Sequence, residues 1–402
     1  MKILVISQYY PPEPGATSNR LSAFVKSMAA RGHSVTVICE FPNYPTGRLR
    51  REDRWRLFRV EKLENHRIIR TAVCTFRHKN NLKRLLFYIS FAFSSLIAAL
   101  IIPRHDIIFA SSPPIFHAFT AMLAARIKGA KFVVDIRDVW PDTAKEFEAV
   151  ENKRLLKYGS VMERMIYRRA KWIFTTTAGF KELIDLRGGD NKSSICYNGS
   201  FEELVCWKGD RGEFRKKLGW AGKIVIVYAG LIGIGQNLID LLPEIQKIRR
   251  ENLSFVFIGN GPQKDELQQK IDEMRLTNIL LMGMMPMREL LPYLEAADIS
   301  LVILRESEFF RRVIPSKFFD SMAIGKPLLS NVDGELRALM EKYDTGKYFS
   351  LREPGSFGKA LSRIVDNPVN FEEMRKNGRL LIKNQFLRSA LTNSAVELME
   401  KI

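Results

Sequence analysis

The sequence predicts an α/β protein built from two Rossmann-like domains in tandem. Residues 2–39 read strand, helix, strand; residues 223–330 repeat that alternation; and the turn-rich YNGSFEE at 197–203 separates the two series. A chain of 402 residues has the length for two cores, at roughly 100 to 200 residues per domain. The expected domains are 1–200 and 201–384, with a helix over about 385–402 packing back on the first.

In the first domain KILVIS is an apolar, β-branched run and reads as a strand. Leu21, Phe24, Val25, Met28 and Ala29 recur at helical spacing, Gly32 stops that helix, and SVTVIC is the next strand. DIIFA (106–110), KFVVDI (131–136) and KWIFTTT (171–177) extend a parallel sheet, with helices expected at 115–128 and 150–170. In the second domain, strands are expected at 223–230, 254–259, 278–283 and 298–304, and helices at 237–250, 263–275 and 287–296. VIPSKFFDSMAIGKPLLS (313–330) closes the series. Pro315 and Gly325 bound a short helix there, followed by a buried strand at 327–330.

The formal charge of +19 is unevenly spread: residues 1–200 hold 33 Lys and Arg against 17 Asp and Glu, a net of +16. Such a half faces something anionic, either nucleic acid or an anionic membrane leaflet. No zinc-ligand spacing or RNA-binding aromatic signature accompanies the charge, so no specific nucleic-acid partner is expected. Residues 85–102, LLFYISFAFSSLIAALII, contain no charge and follow Arg77, Lys79, Lys83 and Arg84. That length is marginal for a bilayer span, and spanning would divide the strands of one sheet between two sides of a membrane. The segment reads as either a buried crossover helix or a helix whose exposed face dips into headgroups beside the basic cluster. A second basic stretch, 48–70, carries Trp55 and Phe58 among its arginines; it reads as a solvated loop or as a surface for membrane or acceptor phosphate.

The four cysteines, Cys39, Cys74, Cys196 and Cys206, form no C-x-x-C motif and are expected to be reduced. Only Ile3, Leu4, Val5 and Ile6 precede the polar SQYYPPEPG, too short an apolar run for a signal peptide. The expectation is a cytoplasmic protein, peripheral on the inner face of the plasma membrane.

Open parallel sheets bind ligands beyond the carboxyl ends of their strands. In AGLIGIG (229–235), Gly230, Gly233 and Gly235 follow a strand and would let backbone approach a phosphate, unless they only make a tight turn. Gly259, Asn260, Gly261 and Pro262 form a similar turn whose backbone could read a nucleobase edge. Ser316, Lys317 and the positive end of their helix would seat a diphosphate, with Asp320 one turn on to accept hydrogen bonds from sugar or ribose hydroxyls. In the plainer reading Ser316 caps the helix while Lys317 and Asp320 are surface charges. Asp135, Arg137, Asp138 and Asp142 crowd the end of KFVVDIRDVWPD, which requires ion pairs or a ligand. His117 reads more readily as a satisfied helix residue than a catalytic one. Gly15 would let the loop YYPPEPGATSNR (9–20) close over a ligand.

In order, YYPPEPGA, FPNYPTG, SSPP, DIRDVWPD, YAGLIGIGQNL, GNGP and VIPSKFFDSMAIGKP resemble the retaining GT-B glycosyltransferases of family four. The likeness covers about residues 2–385 and is nearest the branch that builds O-antigen and colanic acid, including N-acetyl-L-fucosaminyl transferases. It implies a GT-B fold, two Rossmann-like domains facing across a cleft, with a UDP-sugar held mainly by the second domain. It also implies an acceptor sugar on polyprenyl diphosphate held by the first domain, and retention of configuration with no metal and no cofactor. Gly15, Arg137 and Asp138 would then lie near the reacting sugar, Lys317 on the diphosphate and Asp320 on hydroxyls. The chain departs from the family at three places: Arg137-Asp138 stands where many relatives have His-Asp, Arg312 stands where the first of two spaced acids would fall, and Ile234 stands near the usual phosphate-binding Arg. A UDP-sugar epimerase of similar build and a catalytically inactive scaffold subunit are the alternatives.

Overall fold

A computed structural model describes residues 1–44, 46–76, 81–146 and 152–402. Arg77 and Lys79 of the first basic cluster lie outside the described residues. The chain divides into two units, 1–198 with 388–402, and 199–387.

In the first unit, short runs of aliphatic residues form β1 (Lys2–Ile6), β2 (Ser34–Glu40), β3 (Phe58–Lys62), β4 (Arg67–Thr71), β5 (Ile107–Ser112), β6 (Lys131–Ile136), β7 (Trp172–Thr175) and β8 (Ser193–Ile195). Their order across the sheet is β3-β4-β2-β1-β5-β6-β7-β8, parallel except for β3, which runs antiparallel to β4. Helices α1 (Ala16–Ala30), α2 (Asn81–Ile101) and α3 (Ile115–Lys128) follow β1, β4 and β5. Ile3, Val5, Leu21, Phe24, Phe109, Val133 and Phe174 make one core, completed by Val396 and Met399 of the Arg388–Glu400 helix. That helix also joins α1 through Ser27 and Thr392, whose hydroxyls are 2.7 Å apart, and through Arg31 to Glu397 and Glu400.

The second unit holds β9 (Ile224–Leu231), β10 (Leu253–Asn260), β11 (Ile279–Met282), β12 (Ile299–Val302), β13 (Leu328–Ser330) and β14 (Gly346–Tyr348), all parallel, in the order β11-β10-β9-β12-β13-β14. Ile226, Tyr228, Phe255, Phe257, Leu301 and Phe357 are fully or almost fully buried in its core. In each sheet the strand order reverses once, between β1 and β5 and between β9 and β12. Ligands of doubly wound sheets collect at the carboxyl side of that reversal.

Three elements differ from the sequence reading. Residues 48–70 contain the β3–β4 hairpin, not only a loop. Its strands are hard to read because Arg70, almost fully buried, pairs with Glu61 at 2.7 Å, and Arg59 pairs with Asp53 and Glu61. Arginines inside a sheet break the apolar alternation that marks a strand. The expected helix at 237–250 is only Leu242–Gln246, preceded by 3₁₀ turns. Asn237 adopts a left-handed conformation (φ 52°) and Pro243 fits only the first turn of a helix. AGLIGIG therefore runs into the 3₁₀ turn Ile234–Gln236 and not into an α-helix. The three-residue strands β8 and β14 are too short to show a period.

Candidate functional site

The first unit gathers its polar residues at the carboxyl ends of β5 and β6, against the start of α1. Gly15 opens that helix with φ 129°. Thr17, two residues on, accepts a hydrogen bond from Arg137 at 2.6 Å. Arg137 also donates to Ser111 Oγ at 3.0 Å and to the Pro113 carbonyl at 2.7 Å. Three neutral acceptors thus fix this guanidinium, and it forms no ion pair among the described residues. Burial draws Arg137 below its ordinary pKa, an effect that Asp138 and Asp135 partly offset.

Of the three carboxylates in KFVVDIRDVWPD, two are committed elsewhere. Asp135 is completely buried and holds Arg20, itself 1% exposed, at 2.7 Å. Burial works against the Arg20 charge, but Asp135 more than offsets it and leaves the guanidinium above its ordinary value. Arg20 further donates to the Tyr197 carbonyl at 3.1 Å. Asp142 pairs with Arg187 at 2.5 Å. Asp138 has no hydrogen bond or ion pair among the described residues, and burial pushes its carboxyl up to about 6. Arg137 forms no ion pair with Asp138 or Asp135; Asp135 belongs to Arg20. His117, on α3, lies 2.6 Å from the Ser111 carbonyl through Nε2, and burial pushes it down to about 3. It is a neutral positioning group for the Ser111 strand end.

In the second unit the site forms around Lys317, at the reversal between β9 and β12. Pro315 occupies the N-cap of the Ser316–Ala323 helix, and no side chain caps it, so Ser316 is not the cap. The first-turn N–H groups of such a helix are left to water or an anion. The Lys317 ammonium nitrogen sits 3.8 Å from the centroid of the Tyr228 ring, and Tyr228 is pinned by a hydrogen bond from its hydroxyl to the Leu231 carbonyl. Among the described residues that nitrogen has no carboxylate and no hydrogen-bond acceptor. Burial alone pushes the amine down to about 7.

Gly230 makes this arrangement possible. A Cβ at this position would lie 2.4 Å from Lys317 Cε and 2.5 Å from Nζ, and φ is 143°. Gly259 and Gly261 are needed for a different close approach. A Cβ on either would strike the Gly230 or Ile232 carbonyl, so these glycines serve the junction of β9 and β10. Gly233 is in extended backbone before the 3₁₀ turn. Asn260 is exposed and its side-chain oxygen accepts from the Gly261 N–H at 2.9 Å; Pro262 is exposed beside it. Asp320, expected on ligand hydroxyls, accepts a hydrogen bond from the Ser200 hydroxyl at 2.7 Å. Arg312, at the place of the first of the two spaced acids, donates to the Glu308 carbonyl at 2.9 Å. No group of three or more His, Cys, Asp or Glu placed to hold a metal occurs among the described residues.

The sequence reading did not single out Tyr228, Arg20, Thr17 or Ser111. A signal existed for Arg20 and Asp135, each a charge set in an otherwise apolar pattern, which predicts a buried mate. None existed for Tyr228, whose role depends on the Lys317 side chain crossing a glycine.

Two family descriptions match the chain, Glycosyl transferase 4-like domain over residues 15–199 and Glycosyl transferases group 1 over residues 223–367. The probable glycosyltransferase WbjE of Pseudomonas aeruginosa is 25% identical over 274 residues, 65% of this chain and 66% of WbjE, just under two thirds of that protein. WcaI of Escherichia coli strain K12, a glycosyl transferase named for colanic acid biosynthesis, is 25% identical over 336 residues, 81% of this chain and 82% of its own. The crystal structure of Anabaena HepE in complex with UDP superimposes with a TM-score of 0.73 at 14% identity, covering all of both chains. The two Rossmann-like units share the GT-B-type fold of that structure, and each is similar to a glycosyl transferase family over most of its length.

Proposed function

We propose that the protein is a retaining, metal-independent glycosyltransferase. It would move a sugar, an N-acetylated hexosamine by preference, from a UDP-sugar to a sugar carried on polyprenyl diphosphate. The setting would be surface-polysaccharide assembly, with the protein cytoplasmic and peripheral on the inner membrane face. The naming of WcaI and the UDP bound to HepE support this reading.

One observation carries it: the amine of the half-buried Lys317 has no anionic partner among the described residues and is held over Tyr228 at the strand reversal beside an uncapped helix start. Burying a cation with no counter-ion is costly, and a diphosphate would supply the missing charge. In the proposed reaction the bond between the sugar's anomeric carbon and the diphosphate oxygen breaks, and the leaving oxygen keeps the electron pair. The acceptor hydroxyl attacks that carbon from the same face and passes its proton to the departing phosphate. Lys317 and the helix N–H groups would stabilise the charge that develops there. Asp138 would orient the acceptor hydroxyl, and Arg137, fixed by Thr17, Ser111 and Pro113, would tie the start of α1 to the end of β5 beside it. The test is UDP release from a panel of UDP-sugars, with and without a polyprenyl-diphosphate acceptor. Acceptor-dependent release is expected; a protein that neither binds UDP nor releases it from any donor would overturn the reading.

A further inference from the structure

Helix α2 buries one face and leaves the opposite face apolar. Phe87, Phe91, Ser95 and Ala99 are buried toward the sheet and α3, while Leu82, Leu86, Ile89, Phe93, Ile97 and Leu100 are exposed, Phe93 to 64%. Those six follow one another by three or four residues and so form a single stripe, roughly 30 Å long at 1.5 Å per residue. The helix is not free to span a bilayer in this fold. It packs on α3, β2 and β4, and Ser94 donates to the Ala72 carbonyl at 2.7 Å, just past the end of β4.

The β3–β4 hairpin extends this surface. Phe58 pairs with Thr71 and Val60 with Ile69 across the antiparallel ladder, so each pair shares a face of the sheet. Ser94 of α2 donates to Thr71 Oγ1 at 3.1 Å, which identifies that face as the one α2 covers. On the edge strand beyond the helix, Phe58 and Val60 are left exposed on the same side, and Leu57 and the 95% exposed Trp55 precede them. Arg48, Arg50, Arg51, Arg54, Arg56 and Lys62 are exposed around these side chains, against one exposed carboxylate in the interval, Glu52.

We infer that α2 and the edge strand β3 form one two-element surface that docks on an anionic phospholipid membrane, apolar side chains among the acyl chains and arginines on the headgroups. The charge complements a negative leaflet and the stripe supplies the apolar area, the pairing of terms that holds peripheral proteins on membranes. A nucleic acid would satisfy the arginines and leave the stripe unexplained. The inference deepens, and rests on, the peripheral-membrane part of the proposed function.

The test is co-sedimentation of the full-length protein with phosphatidylcholine vesicles, with and without phosphatidylglycerol, scored separately from UDP release. The anionic vesicles should bind the wild type. Phe93→Glu/Ile97→Glu on α2 and Trp55→Ser/Leu57→Ser ahead of β3 should each lower the partition coefficient about tenfold or more, and Arg54→Gln/Arg56→Gln should remove the preference for anionic lipid. All six positions are exposed, so unchanged melting temperatures and UDP affinities should accompany these losses. Vesicle binding without UDP release would support the surface while removing the proposed enzyme. Binding unaffected by either apolar pair, or affected by only one, would overturn the two-element surface. So would tight binding to a duplex oligonucleotide that survives Phe93→Glu/Ile97→Glu when vesicle binding is absent.

Discussion

Lys317→Met removes the charge while keeping most of the side-chain volume, and its effects on ligand binding and on stability should have opposite signs. An ammonium-to-diphosphate hydrogen bond contributes about 1.5–3 kcal/mol net. With the free amine pushed down to about 7, roughly half the molecules are protonated at neutral pH. Binding only from that half subtracts roughly 0.4 kcal/mol. The expected loss of UDP affinity is therefore about 1–2.5 kcal/mol, or roughly five- to seventyfold in Kd. Isothermal titration with UDP at neutral pH measures it. The wild-type advantage should be full below about pH 7, where the amine is charged, and should shrink as pH rises above that value. The difference between the two proteins cancels the ligand's own titration.

Without ligand, the order reverses. Because the folded-state amine lies below its unfolded value, the unfolded chain binds the extra proton and stability rises with pH between the two. The free wild type is thus penalised in full below about pH 7 and relieved as pH climbs toward the ordinary lysine range. Lys317→Met should melt higher than the wild type at neutral pH when UDP is absent, and gain less when UDP is added. Equal UDP affinity in the two proteins, with the same pH dependence, would refute the assignment of Lys317 to the diphosphate.

Gly230→Ala places a methyl group within 2.5 Å of the Lys317 nitrogen at a φ of 143°; it should displace the lysine and weaken UDP binding at least as much as Lys317→Met, read in the same titration. Asp138→Asn should lower turnover about tenfold or more, about 1.4 kcal/mol of transition-state stabilisation, with UDP affinity unchanged; wild-type turnover should fall as pH drops through about 6 and Asp138 takes up a proton. Arg20→Ala leaves Asp135 buried without a counter-charge, a loss of about 3–5 kcal/mol visible as a lower melting temperature, whereas UDP binding to the surviving folded protein should be retained.

Most of the architecture was legible because parallel strands buried on both faces are written as unbroken aliphatic runs. KILVI, IIFASS and IVIVYAGL are largely of this kind, and α3 lies at the expected 115–128, between Pro114 and Gly129. The β3–β4 hairpin was obscured by its buried arginines, and the segment after β9 by an asparagine in a left-handed turn. The site was legible as a set of residues and less so as a set of roles. Lys317 was identified, but its bed is the Tyr228 ring, and Gly230, two residues further on, makes space for its side chain. Asp135 and Asp138 look alike in sequence, two acids three residues apart. Only the position of Arg20 on α1 separates a structural carboxylate from one without a partner among the described residues.

The first unit is assembled from both ends of the chain: Val396 and Met399 lie in the same core as Ile3 and Phe24, and the whole second unit is threaded between. During synthesis the face of α1 that receives the Arg388–Glu400 helix therefore stays bare until residues 388–400 have left the ribosome, after residues 199–387 have emerged. A ribosome that stalls between codons 388 and 400 therefore leaves the second unit complete and the first open along α1.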